Sequence, residues 1–125
     1  MGYLILSKAD SESLLVKRLE VADSFFKRFL GLMFKKSLAE DEGMLLTKTR
    51  QIHTFWMRFP IDVLYLRKIA KNKYEIVGLE ENLSPWRISM LNFHSTDVLE
   101  LKTGSIAKKH IEIGEEIKYC SEKKY

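Results

Sequence analysis

Cysteine, proline and glutamine are all scarce in this sequence. Cys120 is the only cysteine, so no disulfide can form within the chain, and this count is typical of a reducing compartment. The two prolines and six glycines stand at apparent element boundaries, without a repeat or low-complexity stretch around them. Gln51 is the only glutamine, and its scarcity beside abundant Lys and Glu is typical of a thermophilic source.

Long apolar runs are also missing. No run approaches the roughly 20 residues of a membrane span, and the run 3–6 is shorter than the apolar core of a signal peptide. We therefore expect a cytoplasmic protein, or an exported one from which a leader has been removed. With 46% hydrophobic residues, the 125-residue chain can form one domain over 1–125, with a charge-rich flexible tail at 120–125.

The charge is mild and evenly spread. Lys and Arg number 21 and Asp and Glu 17, which gives a net charge of +4. The densest basic cluster comprises Arg67, Lys68, Lys71 and Lys73, and it surrounds a predicted turn with no aromatic residue before Tyr74. Because nucleic-acid-binding proteins more often carry their basic residues on one element, we do not expect nucleic acid as a partner.

Apolar and polar residues alternate in many short segments, which is typical of strands. The pattern predicts one helix over 23–30, with Phe25, Phe26 and Phe29 as its core face and Gly31 at its end. It predicts a hairpin turn at 70–73 and a loop or short helical turn at 104–110. The predicted strands are 3–7, 14–21, 43–48, 52–58, 61–67, 74–80, 86–91, 97–102 and 111–119.

This element order indicates a mainly β fold. Connections between the predicted strands are too short for the crossover helices of a parallel α/β sheet. We expect a compact antiparallel sandwich or barrel-like domain, of jelly-roll-like type, with one or two short helices.

Familiar catalytic and cofactor motifs are missing. The sequence contains no G-x-G-x-x-G, no phosphate loop and no G-x-S-x-G. His53, His94 and His110 are not spaced as metal ligands. We therefore assign no catalytic residue, no metal site and no cofactor, and an enzymatic role is the less favoured alternative.

Two segments concentrate unusual side chains. Residues 51–62 combine aromatic and thioether groups with His, Arg and Asp, and residues 80–87 place Trp86 between Pro85 and Arg87. Trp and Arg together suit a planar ligand. From this chemistry we select Arg58, Glu80, Asn82 and Trp86 as binding candidates.

The chain resembles a family of unknown function, domain-of-unknown-function family 192. The resemblance rests on the blocks 31–35, 43–46, 53–57, 60–66 and 98–101 with Gly104, in this order, and it covers about residues 13–119. It implies a compact, mainly β domain and supplies no reaction. Carried over residue by residue, it adds these candidates: His53, Trp56, Met57, Asp62 and Glu100.

Three functions remain open. The first is the binding of a small polar or planar ligand in a pocket of Trp56, Met57, Arg58 and Trp86. The second is a hydrolase that uses His53 with a carboxylate as acid and base. The third is a protein-interaction domain, and the oligomeric state is open. Asp62 could instead cap a turn, and Glu100 could pair with Arg58.

Overall fold

The computed structural model describes residues 2–121. They form seven strands and two short helices. The helices are α1 (Phe25–Leu30) and α2 (Ser105–Lys108). The strands are β1 (Gly2–Ser7), β2 (Glu12–Ala22), β3 (Glu42–Thr47), β4 (Ile61–Ala70), β5 (Lys73–Leu83), β6 (Asp97–Lys102) and β7 (Glu116–Ser121).

The strands close into a barrel in the order β1-β2-β3-β6-β4-β5-β7. β1 completes the circle by pairing with β7, and β2 and β3 are the one parallel pair among these strands. The predicted mainly β fold with short helices is confirmed, as is the hairpin of β4 and β5. No helix within residues 2–121 is long and apolar enough to cross a membrane.

One set of alternating side chains fills the barrel interior. Leu64 and Leu66 of β4 and Leu99 and Leu101 of β6 point inward, and each is almost completely buried. Successive side chains on a strand point to opposite faces, so every second residue enters this core. Each fully buried leucine contributes about 1.5–3 kcal/mol to folding.

The opposite faces of the same strands are buried too. Three connecting segments, residues 23–41, 48–60 and 84–96, pack against the outside of the barrel, and we call them the cover loops. Their buried side chains, among them Leu32, Leu38 and Met57, form a second core with Val63 and Val98 of the outer face. The outer face of β3, β4 and β6 is therefore enclosed between the barrel and the cover loops.

The strands predicted at 52–58 and 86–91 are wrong. Both segments are irregular and share one isolated bridge, His53 with Ile88. Trp56 and Trp86 have φ values of 61° and 64°, in the left-handed region that a strand does not use. The two segments instead bond to each other at intervals, as from Thr54 N to Arg87 O at 2.8 Å.

The helix α1 ends at Leu30 as predicted but begins at Phe25, two residues after the predicted start, and the prediction of its burial is wrong. Ser24 caps its start through a bond from Lys27 N, and Gly31 ends it with a φ of 48°. Phe25 and Phe26 are 80% and 68% exposed, and no residue of the helix is buried. A helix of fewer than two turns, lying on loops rather than on the sheet, cannot bury a complete apolar face.

The C-terminal elements agree with the expected order. The helical turn predicted at 104–110 is α2, and the last strand begins after the break at Gly114. Cys120 and Ser121 belong to β7, and the rest of the predicted tail, 122–125, lies outside the described residues.

Candidate functional site

Glu100 is a carboxylic acid in an apolar layer. It lies on the outer face of β6, in register with Met44 of β3 and Val63 of β4, both of which belong to the second core. The residue is 1% exposed, and Oε1 has no hydrogen-bond partner among residues 2–121. Burial raises the pKa of Glu100 to about 8, because a low-polarity environment disfavours the charged form.

The Glu100 side chain faces a cavity of about 430 Å³, which we call the Glu100 cavity. Its walls come from α1, from β3 and from the cover loop 48–60. Because Glu100 is buried whereas Lys48 and Arg50 are exposed, the carboxyl lies at the floor and the two basic residues at the mouth. The cavity is lined by Phe25, Arg28, Phe29, Gly31, Leu46, Lys48, Thr49, Arg50, Gln51, Ile52, His53, Phe55, Ile88 and Glu100.

Gly31 brings the main chain close to the carboxyl. A Cβ atom at this position would lie 3.5 Å from Glu100 Oε1 and 4.0 Å from Oε2. The φ of 48° also favours glycine here, since other residues adopt this region at a cost. Glycine at the end of α1 therefore leaves the upper side of the carboxyl uncovered by a side chain.

His53 fastens α1 to the wall of the cavity. Its Nδ1 accepts a hydrogen bond from Phe55 N at 3.1 Å, so the proton lies on Nε2, which donates to Phe29 O at 2.9 Å. The ring is thus a neutral imidazole with both nitrogens bonded to the main chain. This arrangement fixes α1 against the loop that forms the cavity wall.

Three basic residues surround the mouth without a carboxylate partner among residues 2–121. Arg28 Nη1 lies 3.5 Å from Thr47 Oγ1, and Arg50 Nε donates to Ser95 O at 3.3 Å. Neither these residues nor Lys48 takes part in an ion pair of the described part of the chain. The mouth is therefore positively charged.

An aromatic chain leads from the cavity to the surface. The rings of Phe29, His53 and Phe55 follow one another at 5.2 and 5.1 Å between centroids. Phe55 also lies 6.0 Å from Trp86, and the two indoles are 5.0 Å apart. Trp56 and Trp86 are 51% and 56% exposed, so the chain ends in a solvent-facing tryptophan pair.

The structure brings some of the predicted binding residues together. His53 and Glu100 line the same cavity, and Trp56 and Trp86 pair at the surface. Met57 is 4% exposed and packs in the second core, whereas Arg58 is exposed. Since Met57 faces the core and the tryptophans face solvent, these residues do not share one hollow.

Two other predicted residues, Asp62 and Asn82, hold the end of the barrel together. Asp62 is 1% exposed, and its two carboxylate oxygens accept hydrogen bonds from Asn82 N and Ile106 N, each at 2.9 Å. Asn82 Oδ1 accepts from Thr103 Oγ1 at 3.0 Å. Asp62 thereby ties β4 to the end of β5 and to the first turn of α2.

Glu80 stabilises a cover loop. Its Oε1 accepts hydrogen bonds from Tyr65 Oη at 2.9 Å and from Met90 N at 3.2 Å. Burial, together with the neighbouring Glu80 carboxylate, raises the pKa of Tyr65. Glu80 therefore holds the loop 84–96 to the outer face.

Sequence reasoning missed most of the cavity wall. The helical spacing predicts Phe25 and Phe29 as core residues, and the basic residues Arg28, Lys48 and Arg50 are not consecutive in the sequence. The helix itself carries a signal for an exposed aromatic surface, because a helix of six residues cannot bury three phenylalanines.

The chain is similar to uncharacterised proteins. The model of the DUF192 family, described as an uncharacterized ACR, matches residues 5–119. A UPF0127 protein of Pyrococcus furiosus is 36% identical over 107 residues, which are 82% of this chain and 88% of the relative. A UPF0127 protein of Pyrococcus horikoshii is 35% identical over 102 residues, which are 79% and 84% of the two chains.

Two solved structures share the fold. A protein of unknown function from Novosphingobium aromaticivorans has a TM-score of 0.78 at 18% identity, over 93% of this chain and 83% of that one. A protein named as a candidate transcription regulator, from Sinorhizobium meliloti, has a TM-score of 0.80 at 23% identity, over 95% and 94%. At these identities the likeness concerns the fold alone.

Proposed function

The chain belongs to the DUF192 family of uncharacterised proteins, and we propose that it binds a small organic ligand in the Glu100 cavity. The observation that carries the proposal is the Glu100 carboxyl, which lines the cavity and whose buried Oε1 has no hydrogen-bond partner among residues 2–121. An unsatisfied buried polar group costs about 1–3 kcal/mol. A ligand that donates a hydrogen bond to this oxygen would remove the cost.

The cavity walls suit this role. Ligand sites in proteins are typically concave and mostly apolar, with a few polar groups that fix the ligand's orientation. Phe25, Phe29 and Phe55 supply aromatic surface, and Glu100 supplies a polar group at the floor. The volume of about 430 Å³ lies within the usual range of about 300–1,000 Å³.

The geometry of His53 supports binding rather than hydrolysis. A general base needs a free lone pair within hydrogen-bond reach of the reacting group. His53 Nδ1 accepts from Phe55 N, and Nε2 donates to Phe29 O. Proton transfer through this ring would require α1 or its own loop to detach.

Two neighbouring phenylalanines provide a matched test. Phe25 and Phe26 are both mainly exposed in α1, but of the two only Phe25 lines the cavity. Thermal shift against a library of metabolites should give compounds that stabilise the wild type and Phe26→Ser equally. The same compounds should stabilise Phe25→Ser less, because it lacks one wall of the cavity.

Two results would contradict the proposal. One is a library in which no compound raises the melting temperature of the wild type. The other is a set of binders that stabilise Phe25→Ser and the wild type alike, which would place their site elsewhere on the molecule.

A further inference from the structure

The charges around the Glu100 cavity are arranged by depth. The floor carries one buried carboxyl, and the mouth carries Arg28, Lys48 and Arg50. None of the three basic residues forms an ion pair with another described residue, although nine such pairs occur elsewhere in residues 2–121. A cluster of three unneutralised cations attracts anions and repels cations within about 10 Å at 0.1 M ionic strength.

Aromatic rings form part of the cavity wall. Phe25 and Phe29 of α1 contribute one aromatic surface, and Phe55 of the cover loop 48–60 contributes another. Phe55 is held in place by the bond from its main-chain N to His53 Nδ1. Aromatic rings prefer to pack against other flat rings in offset or edge-to-face geometry.

The floor offers a hydrogen-bond acceptor. The Glu100 side chain lines the cavity, its buried Oε1 has no hydrogen-bond partner among residues 2–121, and Gly31 adds no side chain next to it. Since burial keeps most of this carboxyl protonated at neutral pH, it does not repel an anion that enters above it. A ligand N–H or O–H group at this depth would satisfy the oxygen.

We infer that the ligand is a small aromatic anion with a hydrogen-bond donor at the end opposite its charge. The carboxylate or phosphate of such a ligand would lie at the mouth among Arg28, Lys48 and Arg50. Its ring would pack against the phenylalanines of the wall, and its donor would bond to the Glu100 carboxyl. This inference rests on the proposed function and specifies the chemical class of its ligand.

Four related compounds test each part of the assignment. Indoleacetate carries both the donor and the negative charge, indoleacetamide lacks the charge, and tryptamine reverses it. Naphthaleneacetate keeps the charge and lacks the N–H. In isothermal titration of the full chain, indoleacetate should bind on the order of tenfold more tightly than tryptamine and more tightly than each of the other two.

A pair of lysine variants locates the charge effect. Lys48 lines the mouth, whereas Lys36 is exposed outside the cavity and forms no ion pair among residues 2–121. Lys48→Gln should weaken indoleacetate binding by about two- to fivefold, the size expected of a partly exposed ion pair. Lys36→Gln should bind indoleacetate as the wild type does.

The outcomes separate this inference from the proposed function. If tryptamine binds as tightly as indoleacetate, or if the two lysine variants behave alike, the anion assignment is wrong while the cavity remains a binding site. If none of the four compounds binds, the assignment is also wrong. The metabolite library then decides whether the cavity binds any ligand.

Discussion

At the scale of single residues, the burial of Glu100 lowers the free energy of unfolding. Its outward-facing neighbours Met44 and Val63 are apolar, and no described residue bonds to its Oε1. Folding therefore transfers a carboxyl group from water to an apolar layer without compensation. The free protein should be less stable than one with an uncharged residue at this position.

The raised pKa of Glu100 predicts how stability depends on pH. Its pKa rises from an ordinary 4.5 to about 8 on folding, so between these values the folded state holds a proton that the unfolded state has lost. The contribution of Glu100 to the free energy of unfolding is therefore greatest below pH 4.5. It falls as the pH rises and is lost above about pH 8. The loss is on the order of a few kcal/mol.

Replacing the acid by its amide tests this dependence. Glu100→Gln cannot titrate, so its unfolding free energy, measured by urea denaturation, should exceed that of the wild type by more at pH 9 than at pH 5. The wild type and the variant share the other titratable residues that line the cavity, which are Arg28, Lys48, Arg50 and His53. Glu81→Gln is the control, since Glu81 is exposed. A difference that does not vary with pH would contradict the burial of an ionisable Glu100.

Asp62 should behave in the opposite way, because its carboxylate is satisfied. Asp62→Asn replaces one of the two accepting oxygens by a donor that faces Asn82 N or Ile106 N. We expect a loss of about 1–3 kcal/mol of unfolding free energy. Asp10→Asn, at an exposed turn residue, should change little. Equal effects of the two substitutions would show that Asp62 does not anchor β5 and α2.

These two acids mark the limit of sequence reasoning at this scale. Both were selected as binding candidates, and nothing in the sequence distinguishes a carboxylate bonded to two main-chain N–H groups from one without a partner. The partners of Asp62 lie 20 and 44 residues away along the chain, so only the closed barrel brings them together.

At the scale of elements, alternation predicted the barrel strands well. The predicted β4 and β6 nearly coincide with the strands observed, because their alternate residues face the interior. The segments 52–58 and 86–91 have strand-like composition but pack as cover loops. Ile52 and Met57 of the first segment pack against the outer face of the barrel, whereas the apolar side chains of the second segment are exposed. A period of two cannot distinguish either case from a strand.

Thr54 holds two of the cover loops together. It is fully buried, its Oγ1 donates to Ser84 O at 2.6 Å, and the same oxygen accepts from Arg87 N at 2.9 Å. Its carbonyl accepts from Trp86 N at 3.0 Å. The tryptophan pair therefore depends on the position of this residue.

Thr54→Val removes the hydroxyl and keeps the shape of the side chain. It should lower the unfolding free energy by about 1–3 kcal/mol, because Arg87 N loses its acceptor, and it should change the fluorescence of the Trp56–Trp86 pair. Thr103→Val is the control, since its hydroxyl bonds only to the side chain of Asn82. A variant as stable as this control, with unchanged fluorescence, would show that the loops are held by other contacts.

At the scale of the whole molecule, the interior core closes the barrel, and the second core attaches the cover loops to its outer face. All seven strands contribute side chains to the interior core, and β3, β4 and β6 also contribute side chains to the second core on the outer face. Barrel closure leaves no strand edge free, so additional chain can only pack onto the outside. The Glu100 cavity is the space on the outer face of β6 that the cover loops, including α1, do not fill.

The central claim, that this cavity is the binding site, is tested most directly by mapping amide chemical shifts of the ¹⁵N-labelled chain during titration with library compounds. We expect the binders to shift the amides of Gly31, Lys48 and His53 together, since these residues line the cavity. Binders that instead shift only residues such as Lys73 and Ile117, which lie together elsewhere on the barrel, would contradict it.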